Sequence, residues 1–241
     1  MSAAARAPDR APSGAVLAIE VSQRSGSVAL RAHPGAEAVE AAVPPSDDHG
    51  DHLMDVIDRS CRAAGVGARD LRLIAVSAGP GGFTGLRVAC ATARAVADAV
   101  GAQAIGVPSA LVAARTLVRE GRLDPAGGAR ACVLLAAKPD DAWCTTVAFD
   151  SGMPRVFEAG LMPAGQALAH VAIGDLHARA LWPAIAADGW LDARFSAIAC
   201  LEVGEALVAT GASADPVLLA PIYPRAPEAV TLWERRHGSR A

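Results

Sequence analysis

A glycine-rich turn set directly before a helix of small side chains is the stretch best suited to chemistry: "VSAGPGGFTGLRVACATARAVADAV", residues 76–100. Glycines at a helix N-terminus expose backbone N–H groups, and the helix dipole adds partial positive charge. Gly79, Gly81, Gly82 and Thr84 could therefore cradle an anion. The same glycines could instead let the chain turn sharply and pack closely on another surface. The order Gly79, Gly81, Gly82, Gly85 fits neither the dinucleotide fingerprint nor the phosphate loop. The phosphate loop also needs a lysine, and the only one, Lys138, lies in "LLAAKPDD" without a glycine-rich lead-in. A structural turn with close packing is the expectation, and anion binding the alternative.

Other chemistry-bearing residues are sparse. In "DDHGDHLMD", Asp47, Asp48, His49, Asp51, His52 and Asp55 could hold a divalent ion, but His49 and His52 lack the H-E-x-x-H spacing. An acidic helix N-terminus that caps free N–H groups is the simpler account. Ser77 is not in a G-x-S-x-G turn, so a hydrolase nucleophile is not indicated. Glu20 interrupts the first apolar run near its end; it could reach a metal-bound nucleotide across a cleft, or accept hydrogen bonds from loop amides. The five cysteines, 61, 90, 132, 144 and 200, are far apart and without zinc spacing, which reads as reduced, buried thiols.

The elements that must position these residues follow from periodicity. Apolar runs predict strands at 15–21, 27–31 and 36–43, forming a meander. Leu53, Val56, Ile57, Cys61 and Ala64 fall on one face of a helix over 49–64. A strand at 71–78, the glycine turn, a helix at 84–100 and a strand at 104–107 complete a first lobe. A helix over 109–120 with Ser109 as its cap opens the second lobe. Strands at 131–137 and 142–149 follow as a hairpin, then an edge strand in 152–157. Helices are expected at 163–169, 176–182 and 195–210, with a short strand at 171–174. The first lobe, 15–107, is expected to be completed by 212–230, and the second lobe spans 108–211. Residues 1–14 read as a disordered extension and 231–241 as a basic tail.

The helix over 84–100 has two faces that avoid charge. Leu86, Ala89, Cys90, Ala93, Val96, Ala97 and Val100 can cover a sheet; Val88, Ala91, Thr92, Ala95 and Ala99 form the other side. A helix apolar on both sides is covered by something, either a second layer or a partner.

Composition narrows the class further. With 241 residues, 52% of them apolar, and a net charge of −3, the chain is expected to be a compact protein without a field that would advertise nucleic acid. No run approaches the ~20 apolar residues of a membrane span, and the N-terminus lacks the hydrophobic stretch of a secretory signal, so a cytoplasmic location without membrane contact is expected.

Several motifs together resemble the TsaB family, also called YeaZ. "VLAIEVSQRSGSVAL" is similar to its opening strand-turn-strand, with Glu20, Val21 and Ser22 where the family has aspartate and a Thr-Ser pair. "AVSAGPGGFTGLRVACATARAVA" resembles its signature G-P-G-S-F-T-G-x-R, with Gly82 in place of the serine. "IGVPSALVAA" resembles the next conserved segment, and "PIYPRAPEAV" resembles the P-x-Y-x-R ending through Pro221, Tyr223 and Arg225. His49 stands where the family has a histidine before its first helix. The family's D-A-R-x-x-E-V-Y is replaced here by Ala136, Ala137, Lys138, Pro139, Asp140, Asp141, Ala142 and Trp143.

The resemblance implies an α/β, two-lobed, actin-like (ribonuclease H-like) ATPase fold with a mixed sheet and helices in each lobe. It also implies a non-catalytic subunit of the machinery that forms N6-threonylcarbamoyladenosine next to the anticodon of tRNAs reading A-starting codons. Its partners would be a TsaD-like catalytic subunit and a TsaE-like ATPase, with tRNA reached through the complex and a homodimer when alone. ATP and divalent metal would belong to the partner subunits, with no cofactor and no metal on this chain. On this reading Leu53, Val56, Ile57, Gly85, Arg87, Val88, Ala91, Thr92 and Ala95 form the partner interface, Arg87 supplies a charge-assisted hydrogen bond, no residue is catalytic, and Glu20 marks a vestigial cleft. The competing classes are an ATPase or sugar-kinase-like enzyme of the same fold, which would need nucleotide-binding acids, and a metallopeptidase. Arg225, Arg235, Arg236, His237 and Arg240 beside Trp233 make the C-terminal end locally basic, which reads as a solvated end.

Overall fold

The computed structural model describes residues 14–44, 51–225 and 233. Asp47, Asp48, His49 and the cations beyond Arg225 lie outside these residues.

Two five-stranded mixed sheets form the frame. In the first, β1 (Ala15–Glu20), β2 (Gly26–Arg31) and β3 (Val39–Val43) make an antiparallel meander, and β4 (Leu71–Gly79) and β5 (Gln103–Pro108) run parallel to β1, giving the order β3-β2-β1-β4-β5. In the second, β6 (Arg130–Lys138), β7 (Asp141–Asp150) and β8 (Met153–Pro163) make the meander. There β9 (Val171–Gly174) runs parallel to β6, and β10 (Trp190–Asp192) to β9. Its order, β10-β9-β6-β7-β8, is that of the first sheet read from the opposite edge. The lobes therefore share one topology, although no residue-level repeat is visible in the sequence.

Among the described residues, α1 (Asp51–Ala63), α2 (Phe83–Val100), α3 (Ser109–Arg119), α4 (Leu176–Leu181) and α5 (Ala197–Ala209) complete a layered stack. Strand alternation sorts the cores. Leu17, Ile19, Ile74 and Val76 point outward under α1 and α2, while Val16, Ala18, Leu73 and Ala75 point inward onto α3 and α5. The inner face of the second sheet, Ala131, Val133, Leu135, Val147 and Ile173, closes the same middle core. Cys132, Leu134, Ala172, Trp182 and Trp190 make a separate core on the outer face, beneath α4. One helical layer thus serves both sheets. α5, assigned from the sequence to the second lobe, lies against β1, β2, β4 and β5 of the first. Its buried residues, Ala197, Ala199, Cys200, Leu201, Val203, Gly204 and Val208, face these strands and α3, while its two acids, Glu202 and Glu205, are only partly buried. Ion pairs stitch this layer: Arg115 to Glu202 at 2.7 Å, Arg119 to the same carboxylate, and Arg31 to Glu205 at 2.6 Å.

Two local expectations need correction, and one short strand was not expected. Residues 163–169 are not helical: β8 continues to Pro163, and Gly165 adopts φ +74° in the turn that follows. Ser109 is the first residue of α3 and not its cap; its hydroxyl bonds Ser77 instead. β10 has only three residues, too few for periodicity to announce, and its pairing with β9 makes it a strand.

Candidate functional site

The glycine turn sits where β4 hands over to α2, clamped from two sides by backbone. A Cβ on Gly81 would lie 2.3 Å from the Ser22 carbonyl oxygen, and one on Gly85 2.3 Å from that of Val21. Gly79 has φ +117°, and its Cβ would fall 2.7 Å from the Ile222 carbonyl oxygen. The peptide between Gly79 and Pro80 is cis. These glycines permit close approach of the β1–β2 turn on one side and of the C-terminal segment on the other. Gly82 differs: its nearest neighbour would be 3.7 Å from a Cβ, so space is open there.

That packing occupies the anion cradle with protein. The Gly82 N–H donates to the Ser22 carbonyl at 2.8 Å, and Leu86 N–H closes the first helical bond on Gly82 at 3.0 Å. Among the candidates Gly79, Gly81, Gly82 and Thr84, only Thr84 at the helix start and Gly82 face solvent. Gly79, Gly81 and Gly85 are thus used for close packing of backbone.

Glu20 is sealed. It is 0% exposed, and its Oε1 accepts from the Ser22 N–H at 2.7 Å and from the Ser22 hydroxyl at 2.6 Å. Its Oε2 is buried without a hydrogen-bond partner. Burial pushes the carboxyl above its ordinary range, against the opposing pull of the Ser22 and Ser77 hydroxyls. Ser77 and Ser109, both fully buried, share a hydrogen bond of 2.8 Å next to it. Glu20 therefore lines no open cleft, which corrects its expected placement; it ties down the turn that packs on the glycines.

The expected partner surface divides. Leu53, Val56 and Ile57 are 3, 2 and 4% exposed and belong to the core beneath α1. Each is committed to the lobe's own interior, where burying such a side chain contributes about 1.5–3 kcal/mol. They do not face a partner. The outer side of α1 carries Met54, Asp55, Asp58, Arg59 and Arg62, with Arg62 paired to Asp58 at 3.0 Å. Gly85 is half-buried, and a Cβ there would press on the Val21 carbonyl.

α2 behaves differently. Leu86, Ala89, Cys90, Ala93 and Ala97 are buried on the sheet, while Ala91, Ala95 and Ala99 are exposed and Val88 and Thr92 are half-buried. Arg87 and Arg94 border this outer stripe and Asp98 lies at its far end. Arg87 does not wait for a partner: its guanidinium stacks 3.8 Å from the Phe83 ring centroid, and its Nε donates to the Tyr223 hydroxyl at 3.1 Å. Phe83 and Tyr223, 55 and 41% exposed, lie 5.4 Å apart between ring centroids. Phe83 carried no signal in the sequence beyond its place in the glycine motif. Arg225, read as part of a solvated basic end, instead bonds the Ala136 carbonyl and the Asp141 carboxylate.

His52 and Asp55, from the acidic cluster, are exposed. No three potential metal ligands converge among the described residues. No helix among them is long and apolar enough to cross a membrane.

Comparison with known proteins agrees with this geometry. Residues 43–138, from the end of β3 to the end of β6, match the family of TsaD, tRNA N6-adenosine threonylcarbamoyltransferase. No curated protein sequence matches the chain. Among solved structures, a Pseudomonas aeruginosa protein described as similar to the peptidase YeaZ superposes with a TM-score of 0.75 at 20% identity, covering 88% of this chain and 100% of that one. YeaZ from Pseudomonas aeruginosa superposes with a TM-score of 0.73 at 22% identity, covering 87% of this chain and 99% of that one. The two-lobed fold, each lobe a mixed sheet with helices, is thus similar to the fold of YeaZ from Pseudomonas aeruginosa over 87% of this chain, and the segment that matches the TsaD family carries the glycine turn and α2.

Proposed function

We propose that this chain is a non-catalytic subunit in the formation of N6-threonylcarbamoyladenosine on tRNA, acting as scaffold and activator by docking on a TsaD-like catalytic subunit. The observation that carries this reading is the outer stripe of α2. Ala91, Ala95 and Ala99 are small, uncharged and exposed, with Val88 and Thr92 half-buried beside them, on a helix whose other side is already committed to the sheet. Small residues let a second helix approach closely, and an apolar stripe bordered by arginines has the composition of an interface centre with a polar rim. The TsaD-family match over 43–138 contains this whole helix and supplies the reaction context. ATP and metal belong, in this reading, to the TsaD-like and TsaE-like subunits, and tRNA is reached through the complex. The same stripe serves a homodimer when the partner is absent.

The test is sedimentation velocity of the protein alone and mixed with the TsaD-like protein of the same organism. A homodimer that exchanges into a mixed complex is expected. Ala91→Glu places an unpaired charge in the centre of the stripe and should weaken either association at least ~10-fold, or about 1.4 kcal/mol, while leaving the urea midpoint unchanged. Wild-type affinity in this variant would remove α2 from the interface. A wild-type protein that binds neither itself nor the TsaD-like protein would overturn the docking reading.

A further inference from the structure

The C-terminal segment runs as a strap across both lobes. After α5 the chain returns to the first sheet, where the Ala104 N–H donates to the Ala214 carbonyl at 2.9 Å. A short 3₁₀ turn, Pro216–Leu218, follows, and Leu219 is buried in the core beneath α2. The Ile222 N–H then donates to the Ala78 carbonyl at 2.7 Å, and the Ile222 carbonyl lies over Gly79. One residue on, Tyr223 holds Arg87 and Phe83 at the start of α2. Two residues beyond that, Arg225 reaches the second lobe.

The anchor in the second lobe is a local irregularity. The pairing of β6 with β7 shifts between Leu135 and Lys138, and Ala136 sits at φ +51°, a left-handed conformation that non-glycine residues rarely adopt. The carbonyl turned out by this bulge accepts from Arg225, whose other nitrogen pairs with Asp141 at the start of β7. Both partners are about three-quarters buried, at 24 and 31% side-chain exposure. The guanidinium thus makes two fixed bonds to one hairpin, a geometry lysine does not reproduce.

We propose that the 219–225 strap couples the β6–β7 hairpin of the second lobe to the outer face of α2, so that docking on that face depends on an ion pair that does not belong to it. The proposal rests on the docking reading given above and names its regulation. Only five residues lie between the buried Leu219 and Arg225, and two of them, Ile222 and Tyr223, lie against the glycine turn and the start of α2. Releasing Arg225 frees the strap from one end, and the hydrogen bonds of Ile222 and Tyr223 are the next to open. Arg87 and Phe83 then lose the ring and hydroxyl that fix their orientation at the edge of the α2 stripe. A ligand or protein that grips the hairpin would be felt at the docking face by the same route.

Two readouts on Arg225→Ala, Asp141→Ala, their double variant and Arg225→Lys separate the possibilities. The first is hydrogen exchange of the Ile222 amide in the free protein; the second is affinity for the TsaD-like protein by sedimentation. Each alanine variant should speed Ile222 exchange and weaken binding at least ~10-fold, with unchanged urea midpoints. Arg225→Ala removes both bonds to the hairpin and Asp141→Ala only one, so the double variant should equal Arg225→Ala, and Arg225→Lys should restore little. Unchanged exchange would mean the strap is held without Arg225, and faster exchange with wild-type affinity would mean that the strap and the docking face are independent; either overturns the coupling. Wild-type protein that binds no partner at all refutes the docking reading itself, a failure seen before any variant is compared.

Discussion

Glu20 offers the sharpest test of how the glycine turn is held. Its Oε1 is the acceptor for both the N–H and the hydroxyl of Ser22, and Ser22 in turn accepts the Gly82 N–H through its carbonyl. Glu20→Ala removes the first link. The Ser22 N–H is left buried without a partner, which costs about 1–3 kcal/mol, and the lost methylene adds about 0.8 kcal/mol. Glu20→Gln keeps the Oε1 acceptor and replaces only Oε2, leaving both bonds from Ser22 in place. The expected loss at pH 5 is about 2–4 kcal/mol for alanine and under about 1 kcal/mol for glutamine.

The two variants should also separate with pH. Burial raises the carboxyl above its ordinary 4.5, so the folded protein keeps a proton that the unfolded chain has released. The stability this contributes is fully present below 4.5 and is lost as pH rises through the folded value, with a limiting slope of about 1.4 kcal/mol per pH unit. Glutamine has no proton to lose. Urea unfolding followed by circular dichroism from pH 4.5 to 8 should therefore show wild type falling relative to Glu20→Gln as pH rises. Parallel curves for the two proteins, or a loss under about 0.5 kcal/mol for Glu20→Ala at pH 5, would refute the argument that this acid is a desolvated structural group.

Further outcomes follow from the same contacts. Gly81→Ala forces a methyl to within 2.3 Å of the Ser22 carbonyl oxygen and should destabilise by at least about 2 kcal/mol in urea titrations. Gly82→Ser has room, caps α2 from an extended backbone and should stabilise by a few tenths of a kcal/mol; equal losses in the two variants would contradict the packing account. All five thiols are free, and only Cys61 is half-buried rather than buried. Desolvation pushes the Cys90 thiol up to about 11, so at pH 8 an aromatic disulfide reagent should label Cys61 first and Cys90 only at the rate of unfolding. Fast labelling of Cys90 in the native protein would show that α2 is less firmly seated on the sheet than its burial indicates.

Much of the first lobe was legible because its elements obey local rules. The short apolar runs in 15–43 mark strands by their length and turn residues, while the three-and-four spacing of Leu53, Val56 and Ile57 and the two uncharged sides of α2 follow from a period of 3.6. The sequence alone thus determined the order of strands and helices and the presence of a helix with more apolar surface than one sheet can cover. It could not say which apolar residues were spare. Leu53, Val56 and Ile57 carry the same hydrophobic signal as Val88 and Ala91, and only the position of the sheet sends the first three inward and leaves the others outside. The glycines show the same division: that Gly81 and Gly85 are obligatory while Gly82 is free depends on carbonyl oxygens of a turn some sixty residues earlier, and that Gly79 is obligatory depends on one in the C-terminal strap. The fate of Glu20 is a matter of burial, which a single acidic letter at a strand end does not encode. Residues 163–169 looked helical by composition, but pairing of β8 with β7 and the positive φ of Gly165 override that preference. The duplicated topology of the two lobes was invisible for a related reason. Sheet order is written in hydrogen bonds between backbones far apart in the chain, and those bonds constrain which residues lie side by side without constraining which amino acids they are.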